Sequence, residues 1–333
     1  MSQRSSNRLK EILSIIIPLV LGIVIIYFLY AGTDFDELWM YIKDANWAIL
    51  TFSLIFGLLG NVIRGLRWEL LIRPLGYTPK KSNLIYAVLG SYAVNFAIPR
   101  AGEIWRCGII SKEDKIPFAK LIGTLILDRL FDTLMVILFL FLAFALNVKV
   151  FLKNMQEFNL PGFLTSPLFY IGLAALTIII VVILLFFKEN KIVKKVRNFI
   201  SNMWKDMLQV WKMKEKRRFI FYTFAIWISY FLYFYITFFA FEFTSQLGFA
   251  AGLFVFTLSS VSMGIPSNGG LGPWQAAVVF ALCAFMVNIE QAKAFATAVF
   301  AFQSIWVVLY GLFSIGMLSF KGKKEKQSEV IKN

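Results

Sequence analysis

Six long apolar runs constrain this chain more than any other feature. They cover residues 12–30, 47–63, 121–146, 167–187, 219–241 and 294–318, and each approaches or exceeds the roughly 20 residues a helix needs to cross a bilayer. Apolar residues make up 59% of the sequence and charged residues 16%, far from the balance of a water-soluble domain, so lipid is the solvent these runs suit. Hydrocarbon offers no partner to a backbone N–H or C=O, and a single run satisfies its own only as a helix. The expectation is an all-α polytopic membrane protein with six crossings. Arg4, Arg8 and Lys10 ahead of the first run resemble a secretory signal, but the run is too long for a signal core and no small-residue cleavage site follows, so it is kept as the first helix.

Composition excludes several chemistries. The sequence has no histidine, which removes His-based metal sites and Ser-His catalysis, and Cys107 and Cys283 form no CxxC pair. No cofactor or metal is expected. The net charge of +15 would suit nucleic acid, but no folded basic module is visible, and in a membrane chain charge is better used to assign sides.

Basic segments mark the cytoplasm. Residues 188–218 hold eleven Lys/Arg against three acids, residues 64–82 five against one, and the tail after Phe320 five against two, so all three are placed inside, with both termini. The acidic stretch with Asp34, Asp36, Glu37 and Asp44, and residues 147–166, are placed outside. Two broken apolar segments then do not fit as simple crossings. Residues 83–98 run to Ile98-Pro99, and a short helical stretch from Arg100 to about Ile110 leads to Lys112, Lys115 and Lys120; charge puts both ends inside. Residues 248–288 form two apolar arms around Gly264-Ile265-Pro266-Ser267-Asn268-Gly269-Gly270-Leu271-Gly272-Pro273, a density of Gly and Pro that ends a helix, and here both ends belong outside.

These segments are expected to be re-entrant hairpins dipping from opposite faces. The order becomes span, span, cytoplasmic hairpin, span, then span, span, external hairpin, span: inverted halves of about 1–147 and 167–320 within one membrane domain, 1–320. Inverted repeats with broken helices are the architecture of secondary transporters. Eight full spans are the alternative. The basic stretch 188–218, with Trp204, Met207, Leu208, Val210 and Trp211 among its lysines, is expected to lie as an amphipathic helix on an anionic leaflet, and the tail 321–333 to be disordered.

Irregular backbone at membrane depth survives only in protein or beside water, so the hairpins locate a polar interior. Asn95 precedes Arg100, Glu103 and Arg106, whose spacing puts three charges along one side of a short helix with Arg100 at its positive end. That suits an anion such as phosphate; a self-neutralising structural network is the other reading. Asp128, Arg129 and Asp132 sit in otherwise apolar sequence, the two acids sharing a face, and either balance those arginines, relay protons or form a structural ion pair. Asn61, Arg64 and Arg67 recur every three residues before Trp68 at the cytoplasmic boundary, where arginines either snorkel to lipid phosphates or gather headgroups. In the external hairpin Ser267, Asn268 and Gln275 are the polar groups beside the exposed backbone of Gly269 and Gly270. Glu242 and Lys293 are taken as interfacial.

Arg64 and Arg67 before Trp68, Asn95 with Pro99-Arg100-Ala101-Gly102-Glu103, Asp128-Arg129-x-x-Asp132, and Pro266 with Gly269-Gly270-Leu271-Gly272 form a recognisable set. Together they resemble the flippase-like membrane domain of lysylphosphatidylglycerol synthetases, also found as stand-alone proteins, over roughly residues 10–320. The resemblance implies movement of aminoacylated or other anionic or isoprenoid lipids across the cytoplasmic membrane of a bacterial-type cell. It implies a polar path through Arg100, Glu103, Arg106, Asp128, Arg129 and Asp132, and a possible lipid-modifying enzyme partner. Gln275 stands where the family often has Glu, and Asp128-Arg129 where it often has Glu-Arg, which puts proton coupling by those carboxylates in question. No soluble aminoacyltransferase domain follows residue 320 in this sequence, so lysyltransferase activity is not expected of this chain itself.

Overall fold

A computed structural model describes residues 2–154 and 210–332, with side chains over 16–148 and 210–321. The chain divides into two compact units, one built from residues 1–146 and 217–333 and the other from 147–216. The expected span 167–187 and most of the basic stretch 188–218 lie outside the described residues.

Every described element is helical. Helix α1 (Ser2–Tyr30) ends in a turn at Gly32, where φ is +76°, and α2 (Phe35–Lys43) leaves at 97° to it. Asp34 starts α2 by accepting from the N–H groups of Asp36 and Glu37 at 2.9 and 3.2 Å, satisfying two of the donors that every helix N-terminus leaves open. This acidic stretch, expected as an external loop, is therefore an amphipathic helix that buries Leu38 and Ile42 and packs on the last helix.

Helix α3 (Trp47–Ile72) is capped by Asn46 and runs about 39 Å at 1.5 Å per residue, long enough to cross a membrane. Three more described helices are long and apolar enough to do the same: α6 (Phe118–Asn154), α7 (Lys216–Tyr235, continued by a 3₁₀ turn to Ala240) and α11 (Ile289–Lys332); the α1–α2 bent pair is a fifth candidate. Helix α11 continues through the tail expected to be disordered, because Lys, Glu and Gln favour helix and no proline interrupts them.

Between these lie the two broken segments. Helices α4 (Lys81–Ala97) and α5 (Ala101–Glu113) are about 25 and 20 Å long, each short of a bilayer's hydrocarbon thickness, and pack on one another. Their far ends are tied together. Asp114, just past α5, accepts from the N–H of Lys80 at 3.0 Å and from Asn83 Nδ2 at 3.2 Å, both at the start of α4. The pair is thus an antiparallel hairpin. A short α8 (Glu242–Ser245) leads to the second pair, α9 (Phe249–Ser262) and α10 (Pro273–Cys283), which also pack together, with Phe254 near the start of α9 edge-on to Phe285 just beyond α10.

Two apolar clusters hold these elements. The larger is aromatic: Phe234 of α7 makes ring contacts with Phe238, Phe256, Trp274 and Phe295, joining α7, α9, α10 and α11. The smaller gathers Trp68, Ile72, Leu84, Val88, Cys107, Ile110 and Leu121 from α3 to α6. Lipid supplies little drive for helices to associate, so close packing has to. Gly57 and Gly60 of α3 accept the rings of Tyr233 and Tyr230, and a Cβ at either would lie 2.7–2.8 Å from the ring carbons.

Candidate functional site

Arg64 and Arg67 are one helical step apart on α3, Asp128 and Asp132 one step apart on α6, and packing sets the two pairs face to face. Arg67, fully buried, donates to Asp128 Oδ1 from Nη2 at 2.6 Å and from Nε at 3.0 Å, to Asp132 Oδ1 at 2.8 Å, and to Thr223 of α7 at 3.3 Å. Arg64, 3% exposed, bonds Asp132 Oδ2 at 2.5 Å. From α5, Arg106 Nη2 reaches Asp128 Oδ2 at 3.2 Å while its guanidinium lies 4.6 Å above the ring of Trp68. Arg129, more exposed, bridges Asp132 at 3.2 Å and Glu103 at 2.6 Å.

Charge this deep is costly unless paired, since removing an ion from water costs several kcal/mol that only close partners offset. The pairing here is dense: each oxygen of Asp128 and of Asp132 accepts from at least one guanidinium. A hydroxyl chain carries the polar interior further. Arg64 Nε donates to the Tyr230 hydroxyl at 3.1 Å, which donates to Asn61 Oδ1 at 2.6 Å, and Asn61 Nδ2 donates to the Tyr310 hydroxyl at 2.7 Å. The Tyr92 hydroxyl lies 3.1 Å from that of Tyr230. Side chains of α3, α4, α7 and α11 thus share one track that begins at the ion cluster.

The tips of the two hairpins meet. At the α4–α5 break Asn95 Oδ1 accepts the N–H of Gly102 at 2.8 Å, fixing the sharp turn. Arg100 there has a left-handed backbone, φ +61°, and its guanidinium donates to the Gly264 carbonyl of the other hairpin. In return Asn268 Nδ2 donates to the Phe96 carbonyl at 3.1 Å, and Gly269 lies against the Phe96 ring.

Several expectations change. Arg64 and Arg67 are interior ion-pair members rather than boundary anchors, because Asp128 and Asp132 face them. Arg100, Glu103 and Arg106 do not act as one strip: Arg100 serves the tips, Glu103 pairs with Arg129, and Arg106 joins the buried cluster. Gln275 Oε1 accepts the Gly272 N–H at 2.8 Å and so holds the turn, while Ser267 reaches only Ile265's carbonyl, at 3.5 Å, and Gly270 packs on Met263. Lys293, near the start of α11, is buried within the protein, bonded to Thr33 at 2.7 Å and Glu290 at 2.8 Å. Tyr92, Tyr230 and Tyr310 escaped the sequence reading, since tyrosine among 36 phenylalanines carries no polar signal of its own. Among the described residues no cluster of His, Cys, Asp and Glu is arranged to hold a metal ion.

Long apolar helices, two interrupted helical hairpins and a charged interior define a polytopic helical membrane protein. The chain belongs to the family described as the lysylphosphatidylglycerol synthase TM region, which matches residues 15–311. It is similar to a UPF0104 membrane protein of Methanocaldococcus jannaschii, 26% identical over 126 residues, covering 37% of this chain and 38% of that protein. It is also similar to glycosyltransferase AglD of Haloferax volcanii, 26% identical over 128 residues, covering 38% of this chain and 20% of that protein. The matched stretches thus span well under half the length of either relative. No solved structure matches the chain.

Proposed function

We propose that this protein moves an anionic, phosphate-bearing lipid, phospholipid or isoprenoid, across the cytoplasmic membrane. The headgroup passes along the polar interior while the hydrophobic tails stay in lipid. The observation that carries this reading is the buried guanidinium–carboxylate cluster continued by the hydroxyl chain of Tyr230, Asn61 and Tyr310: a track of polar side chains through helices that otherwise face hydrocarbon. Both hairpins are re-entrant in this proposal, α4–α5 from the cytoplasm and α9–α10 from outside. Inverted halves of about 1–147 and 167–320 then alternate access by rocking around the meeting tips.

Reconstituted into vesicles, the protein should move a fluorescent phosphatidylglycerol between leaflets, read as label lost to an impermeant quencher. Arg100→Ala removes the charged bond between the tips, worth about 1.5–3 kcal/mol, and should slow movement about tenfold or more. Unchanged rates in that variant would remove the tips from the path. Sidedness has its own measurement: in a cysteine-free background, Lys112→Cys should react with an impermeant maleimide only when the cytoplasmic face is exposed. Labelling from outside intact cells would refute the inverted topology.

A second reading makes this chain the membrane partner of a lipid-modifying enzyme, such as a phosphatidylglycerol lysyltransferase-type system. The similarity of one stretch to part of a glycosyltransferase is the observation favouring it. Product formed only when the chain accompanies such an enzyme would select this reading.

A further inference from the structure

The interior cluster is out of balance by one charge among the described residues. Arg64, Arg67 and Arg106 are each at most 3% exposed, and they face two buried carboxylates, Asp128 and Asp132. The more exposed Arg129–Glu103 pair adds one cation and one anion and leaves the difference unchanged. Hydrogen bonds show where the excess lies. Arg67 uses all three of its nitrogens, and Arg64 uses Nε and Nη1. Arg106 commits only Nη2, and its buried Nε and Nη1 meet no acceptor among the described residues.

A buried guanidinium with open N–H groups bears a desolvation cost that an arriving acceptor removes. Its ring partner is held in place, because Trp68 Nε1 donates to Thr124 at 2.9 Å. The cation is therefore presented on a fixed platform, 4.6 Å from the indole, rather than on a loose side chain.

We infer that Arg106 binds the phosphodiester monoanion of a lipid headgroup at the N–H groups its bond to Asp128 leaves open. One negative charge balances three guanidiniums against two carboxylates; a dianionic phosphomonoester would overshoot, and an uncharged headgroup would leave the cation uncompensated. The inference rests on the lipid-handling reading above and names the group that reading's substrate must carry.

The test is thermal unfolding of the full chain in a neutral, phosphate-free detergent, titrated separately with dihexanoyl phosphatidylglycerol, dihexanoylglycerol and inorganic phosphate. The phosphatidylglycerol should raise Tm in a saturable way and dihexanoylglycerol should not. Arg106→Gln should weaken that effect about tenfold or more, the consequence of losing one charge-assisted bond. Without ligand, Arg106→Gln should melt at or above the parent, because two guanidiniums then face two carboxylates. An Arg106→Gln protein that melts far below the parent or does not fold makes Arg106 a structural cation and overturns the inference. So does equal lipid stabilisation of parent and variant, and so does inorganic phosphate matching the lipid, which would assign the site to free phosphate. Saturable, Arg106-dependent binding by a protein that never moves lipid in vesicles leaves this inference standing and removes the translocation reading alone.

Discussion

Asp128→Asn should be the most damaging single substitution in the interior, lowering stability by about 3–5 kcal/mol, the cost of leaving buried guanidiniums without their partner. Asp128 is fully buried and holds Arg67 through two bonds and Arg106 through one. Its neutral amide would leave Asp132 alone against three cations. Chemical unfolding in detergent micelles, or melting followed by size-exclusion recovery, measures the loss. The charge argument also makes the effect non-additive. Adding Arg106→Gln restores the parental excess of one cation, so the double variant should be more stable than Asp128→Asn alone, with a coupling of about 0.5–3 kcal/mol. Simple additivity would mean that water, not Asp128, solvates Arg106.

Gly102→Ala should open the first hairpin. Gly102 is in the first turn of α5, and a Cβ there collides with the backbone carbonyl oxygen of Ser91 and comes within 2.8 Å of Asn95 Oδ1. Neither neighbour yields easily: one is helical backbone, and the other accepts the Gly102 N–H that fixes the turn. The expected cost is about 1–3 kcal/mol or more from overpacking, with loss of the bonds from Arg100 and Asn268 between the tips. Gly108 lies two turns along the same helix with nothing within 4 Å of its Cβ position. Gly108→Ala should therefore stabilise by about 0.5–1 kcal/mol through reduced backbone entropy in the unfolded chain. Equal melting of the two variants would show that the α4–α5 contact has room for a methyl group at Gly102.

Much of the architecture was legible in the sequence, for reasons that are local. Apolar runs of membrane length become helices because their backbones have no other partner, and Ile98-Pro99 and the Gly/Pro stretch 264–273 interrupt helices wherever they occur. Of the charged and amide residues in those segments, Arg106 joins the buried cluster, Glu103 pairs with Arg129, and Arg100 and Asn268 bond between the tips. The acidic stretch 34–44 was misjudged because its charges hide a helical face, Leu38 and Ile42, whose destination on α11 is a long-range matter.

The sequence by itself determined where helices run, where they break and which side chains need partners, since hydrophobicity, proline and glycine act through neighbours along the chain. Only the tertiary structure decided the pairings. Arg67 meets Asp128 across 61 residues and Asn61 meets Tyr310 across 249. Which faces of α3, α5, α6, α7 and α11 touch is set by aromatic packing and glycine clearances distributed over the whole unit. That packing brought Arg64 and Arg67, expected at the membrane boundary, together with Arg106 of the first hairpin in one buried cluster, and left Arg106 as the member whose N–H groups are still open.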